Sequence, residues 1–243
     1  MSTVEVRRAA DRFATRLSWL DSRHSFSFGR HYDPGNVQFG LLVVSNHDRV
    51  AAGAGFEPHP HRHMEIVSWV LAGALEHADD AGHRGVVRPG VVQRTSAGTG
   101  IVHSERAHGG EPVEFVQMWV FPDETGGEPA YAQADATEAL AAGGLVPVVS
   151  GIPRHRAAGA VPIRQSGAAL HAARLAAGES VPLPAAPYLH LYLARGRVTL
   201  DGAGDLQAGD AARITAATGP QVTAGTPAEL LVWEMHAALP SPT

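Results

Sequence analysis

Two short triplets, His59-Pro60-His61 and His103-Ser104-Glu105, carry the most chemically specific spacing in this chain. In an extended strand residues i and i+2 point to one face, so each triplet aims two metal-binding side chains the same way. Two such strands facing each other bring together His59, His61, His103 and Glu105. Three imidazoles and one carboxylate suit one divalent transition ion (iron, nickel, cobalt, copper, manganese or zinc) and suit calcium or magnesium poorly. Pro60 has no backbone N–H to give to a ladder and belongs at a strand edge or a bulge. Such irregular strands are frequent beside active sites.

The chain has 14 histidines, and an isolated one is more often a surface or structural residue than a ligand. His63 extends the run to His-x-His-x-His and is read as a solvated residue or a support behind a ligand. Glu65 has matching parity and is given a structural role. His77 and His83 flank the Asp79-Asp80 turn and are expected to face solvent. His24 alternates with aromatics in the stretch from Trp19 to Phe28, which predicts packing against the first barrel rather than catalysis. Gly98-Thr99-Gly100 is not a phosphate loop, because no helix signal and no lysine follow it. No Gly-x-Ser-x-Gly occurs, so a serine triad has no support.

The elements that must position these residues are short and β-rich. Strand signals cover Phe39 to Ser45, Glu65 to Leu71, Ala74 to His77, Gly85 to Val87, Val91 to Arg94 and Glu114 to Val120. Glycine, Pro89-Gly90 and Asp79-Asp80 punctuate them. Residues 122–160 are richer in Ala and Gly and read as a connector with a short helix around Ala134 to Ala142. The β pattern then returns at Ala169 to Leu175, Leu189 to Ala194, Arg197 to Leu200, Ala211 to Thr215 and Glu229 to Met235. Many short strands with regular turns predict an all-β barrel architecture.

The two β segments resemble one another. Val70-Leu71-Ala72-Gly73-Ala74-Leu75 parallels Leu193-Ala194-Arg195-Gly196-Arg197-Val198, and Val87-Arg88-Pro89-Gly90 parallels Leu206-Gln207-Ala208-Gly209. A duplicated barrel is the economical reading. With Gly73 set on Gly196, the places of His61 and His59 fall on Pro184 and Pro182. With Gly90 set on Gly209, His103 and Glu105 fall on Val222 and Ala224. The metal is therefore expected in the first barrel only. The expected division is an N-terminal metal-binding barrel at 1–122, a connector at 123–160 and a C-terminal barrel without those ligands at 161–243.

Composition narrows the function classes. The chain's 243 residues can bury a sizeable core. There is no cysteine, which excludes disulfides, thiolate nucleophiles and iron–sulfur clusters. All 19 basic residues are arginine, so lysine Schiff-base chemistry is excluded too. A net charge of -5 with scattered arginines gives no case for direct nucleic-acid or membrane binding. No run of 18 apolar residues occurs, and the first dozen residues are charged, which predicts a soluble, cytoplasmic protein.

The string Phe56-Glu57-Pro58-His59-Pro60-His61-Arg62-His63-Met64-Glu65, the Gly73 hairpin, and Ser96-Ala97-Gly98-Thr99-Gly100-Ile101-Val102-His103-Ser104-Glu105 resemble the pirin family of bicupins. Trp19-Leu20-Asp21-Ser22, Ser25-Phe26-Ser27-Phe28 and Tyr32-Asp33-Pro34 resemble its bacterial quercetinase-like branch. The resemblance is strong over residues 17–131. It implies two cupin barrels and one metal in the first, on the positions of His59, His61, His103 and Glu105, the same four that strand parity selects. Ser96 in place of a common cupin proline and two extra residues before His103 are themselves pirin-like. His63, where Asp or Gly is more usual, is a departure.

The resemblance implies a metal-dependent dioxygenase cleaving a flavonol such as quercetin. Four protein ligands leave one or two positions of a five- or six-coordinate ion open to a substrate oxygen and to dioxygen or water. The ion would acidify the flavonol 3-hydroxyl, and Glu105, as ligand and base, would accept its proton. Family analogy then has dioxygen open the ring with loss of carbon monoxide. An alternative from another class is a metal-dependent regulatory protein, since eukaryotic pirins are thought to be transcriptional cofactors. Cupin chemistry on another small enol-containing metabolite would use the same ligands.

Overall fold

The computed structural model describes residues 2–240. Over these residues the chain folds as an all-β bicupin, with one short α-helix, Thr137–Ala141, and two 3-10 segments, Ala9–Asp11 and Pro153–Ala158. Each barrel sets a seven-stranded sheet against a four-stranded one. In the first barrel the four-stranded sheet runs Gly55–His61, Ile101–Ala107, Leu75–Asp79, Arg84–Val87. Its counterpart in the second runs Ser180–Pro182, Gln221–Ala224, Arg197–Leu200, Gly204–Gln207.

The duplication is visible at the turns. Gly73 and Gly196 both have positive φ, +72° and +81°. A Cβ at either would come within 2.2 Å of a proline carbonyl oxygen, Pro112 in the first barrel and Pro227 in the second. Both hairpins therefore require glycine for conformation and for space.

Alternation along the strands separates two cores. Trp69 and Met118 of the first barrel pack on Leu170, Tyr192 and Trp233 of the second, so the seven-stranded sheets lie back to back. The opposite faces of the same strands fill the barrels. In the second, Leu189, Leu191, Leu193, Leu230, Val232 and Val222 are all fully buried, and each such side chain contributes about 1.5–3 kcal/mol. In the first, the apolar filling of Leu20, Val70, Leu75 and Phe115 is followed on the same faces by buried Asp48, Ser68, His77, Gln93, His103, Glu105 and Gln117. Buried polar groups cost stability unless bonded, so this row marks where the first barrel is built for something other than packing.

Sheet membership cuts across the division at 122 and 160. The strand Thr3–Arg7 pairs with Ala211–Thr218 of the second barrel. The stretch read as a connector is structured: Ala130–Asp135 pairs with Val91–Ser96 of the first barrel, and Val146–Ser150 pairs with Ala168–Leu175 of the second. The helix occupies the core of its expected range, its first turn held by Asp135 Oδ1 accepting from the Thr137 N–H at 2.8 Å. The strand expected from Phe39 begins at Leu42 and runs on to Val50, because Phe39 and Leu42 close a tight bridged turn.

Candidate metal centre

Gly55–His61 is the edge strand of its sheet, which is where Pro60 costs no ladder bond. Its antiparallel partner Ile101–Ala107 sets His103 directly opposite His59 and Ile101 opposite His61. A register shift follows between His103 and Glu105. The three imidazoles form a triangle with ring centroids 4.9 Å (His59 to His61), 4.6 Å (His59 to His103) and 4.9 Å (His61 to His103) apart. One ring nitrogen from each lies within 4.8 Å of the other two.

The hydrogen bonds around the triangle fix which nitrogens are free. His59 Nδ1 lies 2.7 Å from the Glu57 carbonyl oxygen, which can only accept, so Nδ1 carries the proton and Nε2 keeps its lone pair. His103 Nδ1 lies 3.3 Å from Nδ1 of His77, whose Nε2 lies 3.0 Å from Asp79 Oδ2. A carboxylate accepts, so the His77 proton sits on Nε2, its Nδ1 accepts from His103, and the His103 Nε2 lone pair is left over. The Nε2 atoms of both His61 and His103 are buried without a protein partner. Burial, reinforced by His103 and His59, pulls His61 down to about 4, and burial also lowers His103. Neutral imidazoles with inward lone pairs are what a transition ion requires.

Glu105 is buried beside this triangle and is grouped with His103 and His77 rather than with all three imidazoles. Its Oε1 accepts from Ser68 Oγ and Gln93 Nε2, both at 3.2 Å, and its Oε2 accepts from Gln117 Nε2 at 2.5 Å. Of the four residues chosen by parity, three close on one point and the fourth stands at their side with His103 in common.

A cavity of about 540 Å³ opens over the centre, within the roughly 300–1,000 Å³ typical of small-molecule sites. Leu17, Leu20, Phe28, Phe56 and Trp119 supply apolar walls, and His59, His61 and Glu105 lie at its floor.

A model of the pirin family matches residues 4–120, and one described as the quercetinase C-terminal cupin domain matches residues 148–235. A Mycobacterium tuberculosis protein provisionally named quercetin 2,3-dioxygenase is 56% identical over 98% of this chain and 97% of its own length. The Escherichia coli quercetin 2,3-dioxygenase is 44% identical over 131 residues, 54% of this chain and 57% of the relative. The crystal structure of the Escherichia coli pirin YhhW in complex with nickel(II) superposes with a TM-score of 0.88 at 33% identity, covering 97% of this chain and 100% of the other. The chain belongs to the pirin family.

Within this pirin several residues stand where parity and spacing place them. His24 is buried at the cavity wall, its Nδ1 2.9 Å from Asn46 Oδ1 and its Nε2 2.9 Å from Thr15 Oγ1, and it stacks on Phe28. His63 lies outside the triangle, in a left-handed conformation, where its Nδ1 accepts from the Gly126 N–H. Glu65 accepts from Ser96 Oγ at 2.7 Å in a structural role, and burial raises its pKa.

His77 is a correction. Expected to face solvent, it is fully buried, stacked 4.6 Å from Tyr131 and bonded on both nitrogens. The signal was present, since His77 shares the inward face of its strand with the core residue Leu75. His83 is partly exposed but bonded to the same Asp79. Burial pushes Asp79 upward, but the bonds from His77 and His83 outweigh it and hold the carboxyl below its ordinary value. Asp48 was not singled out by spacing either. It lines the cavity, and burial lifts its carboxyl to about 7, against a lowering bond from Ser22 and with a further rise from Glu105.

Proposed function

We propose that this pirin is a metal-dependent dioxygenase that cleaves a flavonol of the quercetin type, with His59, His61, His103 and Glu105 as the metal ligands. The observation that carries this reading is the convergence of three imidazoles on one point, with the Nε2 atoms of His61 and His103 buried and unpartnered, beside a largely apolar cavity that His59 and His61 line. The fixed tautomers of His59 and His103 and the uncharged His61 fit a borderline divalent ion. When bound, such an ion supplies Lewis acidity toward a substrate hydroxyl oxygen and a route for electrons to dioxygen.

The chain's own residues do the rest. Glu105 accepts the 3-hydroxyl proton of the flavonol, and the bonds from Ser68, Gln93 and Gln117 keep its carboxylate aimed while it does so. Phe28, Phe56 and Trp119 hold the flat rings and keep water away from the opened ring. Asp48, poised near neutrality, holds or releases a proton at the cavity wall. The relatives named quercetin 2,3-dioxygenase support the substrate class.

The test is aerobic loss of quercetin absorbance by metal-loaded protein, compared with Glu105→Gln. Loss of a positioned base costs about 10²–10⁴-fold in rate, so the variant should fall by that amount while the three imidazoles keep the metal bound. Undiminished turnover in Glu105→Gln would remove its role as base. Absence of turnover in the loaded wild type would remove the dioxygenase reading.

A further inference from the structure

The second barrel contains none of the first barrel's ligand positions, but its open end holds a separate group of donors. Alternation on the strand Ala228–Met235 places Leu230 and Val232 in the barrel core, and Glu234 continues that inward face. On the adjacent strand Ala168–Leu175, His171 faces the same way as core residue Ala173. The 3-10 segment Pro153–Ala158 brings His155 across the opening. Glu234 is fully buried, His171 nearly so, and the His155 side chain is 12% exposed.

The geometry points to a second divalent transition-metal site at the mouth of the C-terminal barrel, formed by His155 Nε2, His171 Nε2 and Glu234 Oε2. One donor atom from each of the three residues lies within 4.8 Å of the other two; Glu234 Oε2 stands 4.0 Å from His155 Nε2 and accepts from His171 Nε2–H at 2.9 Å, a proton that the ion would displace. Ligands about 2.0–2.1 Å from an ion stand roughly 3.0–3.4 Å apart, so His155 must move toward the Glu234 carboxylate, from which it now stands 4.0 Å, to close the site. Two imidazoles and one carboxylate select zinc, nickel, cobalt or copper over calcium or magnesium.

The surroundings orient these donors. His155 Nδ1 lies 3.0 Å from Ser150 Oγ. That hydroxyl gives its own proton to the Ile152 carbonyl at 3.4 Å, so it accepts from Nδ1 and leaves the His155 Nε2 lone pair facing Glu234. The rings of His155 and His171 meet nearly perpendicular, at 83°, with centroids 5.1 Å apart. The other carboxylate oxygen of Glu234 is held by His236 Nε2 at 2.6 Å and by the Arg154 guanidinium, so Oε2 is fixed toward the two imidazoles. Arg154 is half-exposed and hydrogen-bonds Oε1, not Oε2.

The site is not a relic of the first centre. Glu234 stands seven residues after Pro227, as Trp119 stands seven after Pro112. His171 pairs with Val232 as Asn46 pairs with Gln117. These donors therefore occupy the ring that forms the cavity wall in the first barrel, while Val222 and Ala224, at the first centre's equivalent places, are buried in apolar core. The ion would tie the Pro153–Ala158 segment to the barrel mouth.

Chelator-stripped, full-length protein reloaded with zinc or cobalt and desalted should retain about two ions per chain by elemental analysis. His155→Ala, which alters the covering segment and no barrel strand, should retain about one, as should Glu234→Gln. The pair His61→Ala/His103→Ala should also retain about one, and adding His155→Ala to that pair should leave none. A wild type that keeps one ion, loses it in His61→Ala/His103→Ala and keeps it in His155→Ala overturns the second site. A wild type that keeps one ion, lost only in His155→Ala, would support it while removing the first centre.

Discussion

Replacing His77 by Phe separates support of the metal from contact with it. Phenylalanine keeps a flat ring in the place stacked 4.6 Å from Tyr131, but removes the acceptor 3.3 Å from His103 Nδ1 and the donor to Asp79. His103 is 1% exposed, so its Nδ1–H finds no water in exchange. An orphaned buried donor costs about 1–3 kcal/mol, and the ring is then free to carry its proton on Nε2, where the ion must bind. Loss of a group that orients a ligand histidine typically weakens metal affinity about 10–100-fold, which is about 1.4–2.8 kcal/mol at 1.4 kcal/mol per tenfold. The two routes agree. Competition of the stripped protein against a chromogenic chelator should therefore show His77→Phe binding zinc or nickel 10–100-fold more weakly, with Asp79→Asn weaker in the same direction. Unchanged affinity in both, with the fold intact by near-ultraviolet circular dichroism, would refute the tautomer argument.

Two further predictions concern the scaffold. Gly73→Ala forces a Cβ to within 2.2 Å of the Pro112 carbonyl oxygen at φ +72°, and should lower unfolding free energy in urea by on the order of 3 kcal/mol. A loss under about 1 kcal/mol would show the hairpin to be soft. His190 is fully buried, and burial first and Arg213 second depress it to about 3. The unfolded chain takes up this proton below about pH 6.5 while the folded chain does not, so stability falls by about 1.4 kcal/mol per pH unit from 6.5 down toward 3. His190→Leu should remove that slope between pH 6.5 and 4. Parallel pH profiles for the two proteins would contradict the assignment.

Of the candidate site, the three imidazoles that converge were legible because their spacing is local. Within each triplet, parity alone places two donors on one face, and the edge position of Pro60 agrees with the chemistry of proline. The apolar filling of the second barrel was equally plain, since Val222 and Ala224 stand where the first barrel has His103 and Glu105. What spacing could not show is who pairs with whom across the chain. Thr3–Arg7 finds its partner in Ala211–Thr218, about 200 residues away. Ala130–Asp135 is poor in β-branched residues and becomes a strand through tertiary pairing, with Tyr131 donating to Gln93 Oε1 and lying against Gly85. His77 was misplaced because a polar residue beside a turn resembles surface until its bonded partners are known. His155, His171 and Glu234 come from three elements, so no single window displays them.

Carbon monoxide released per flavonol consumed tests the central claim most directly. Metal-loaded wild type in air should release one carbon monoxide for each quercetin lost and consume none under nitrogen, while His61→Ala/His103→Ala should do neither. Loaded wild type that leaves quercetin intact in air, or a histidine variant that matches wild type, would contradict the account.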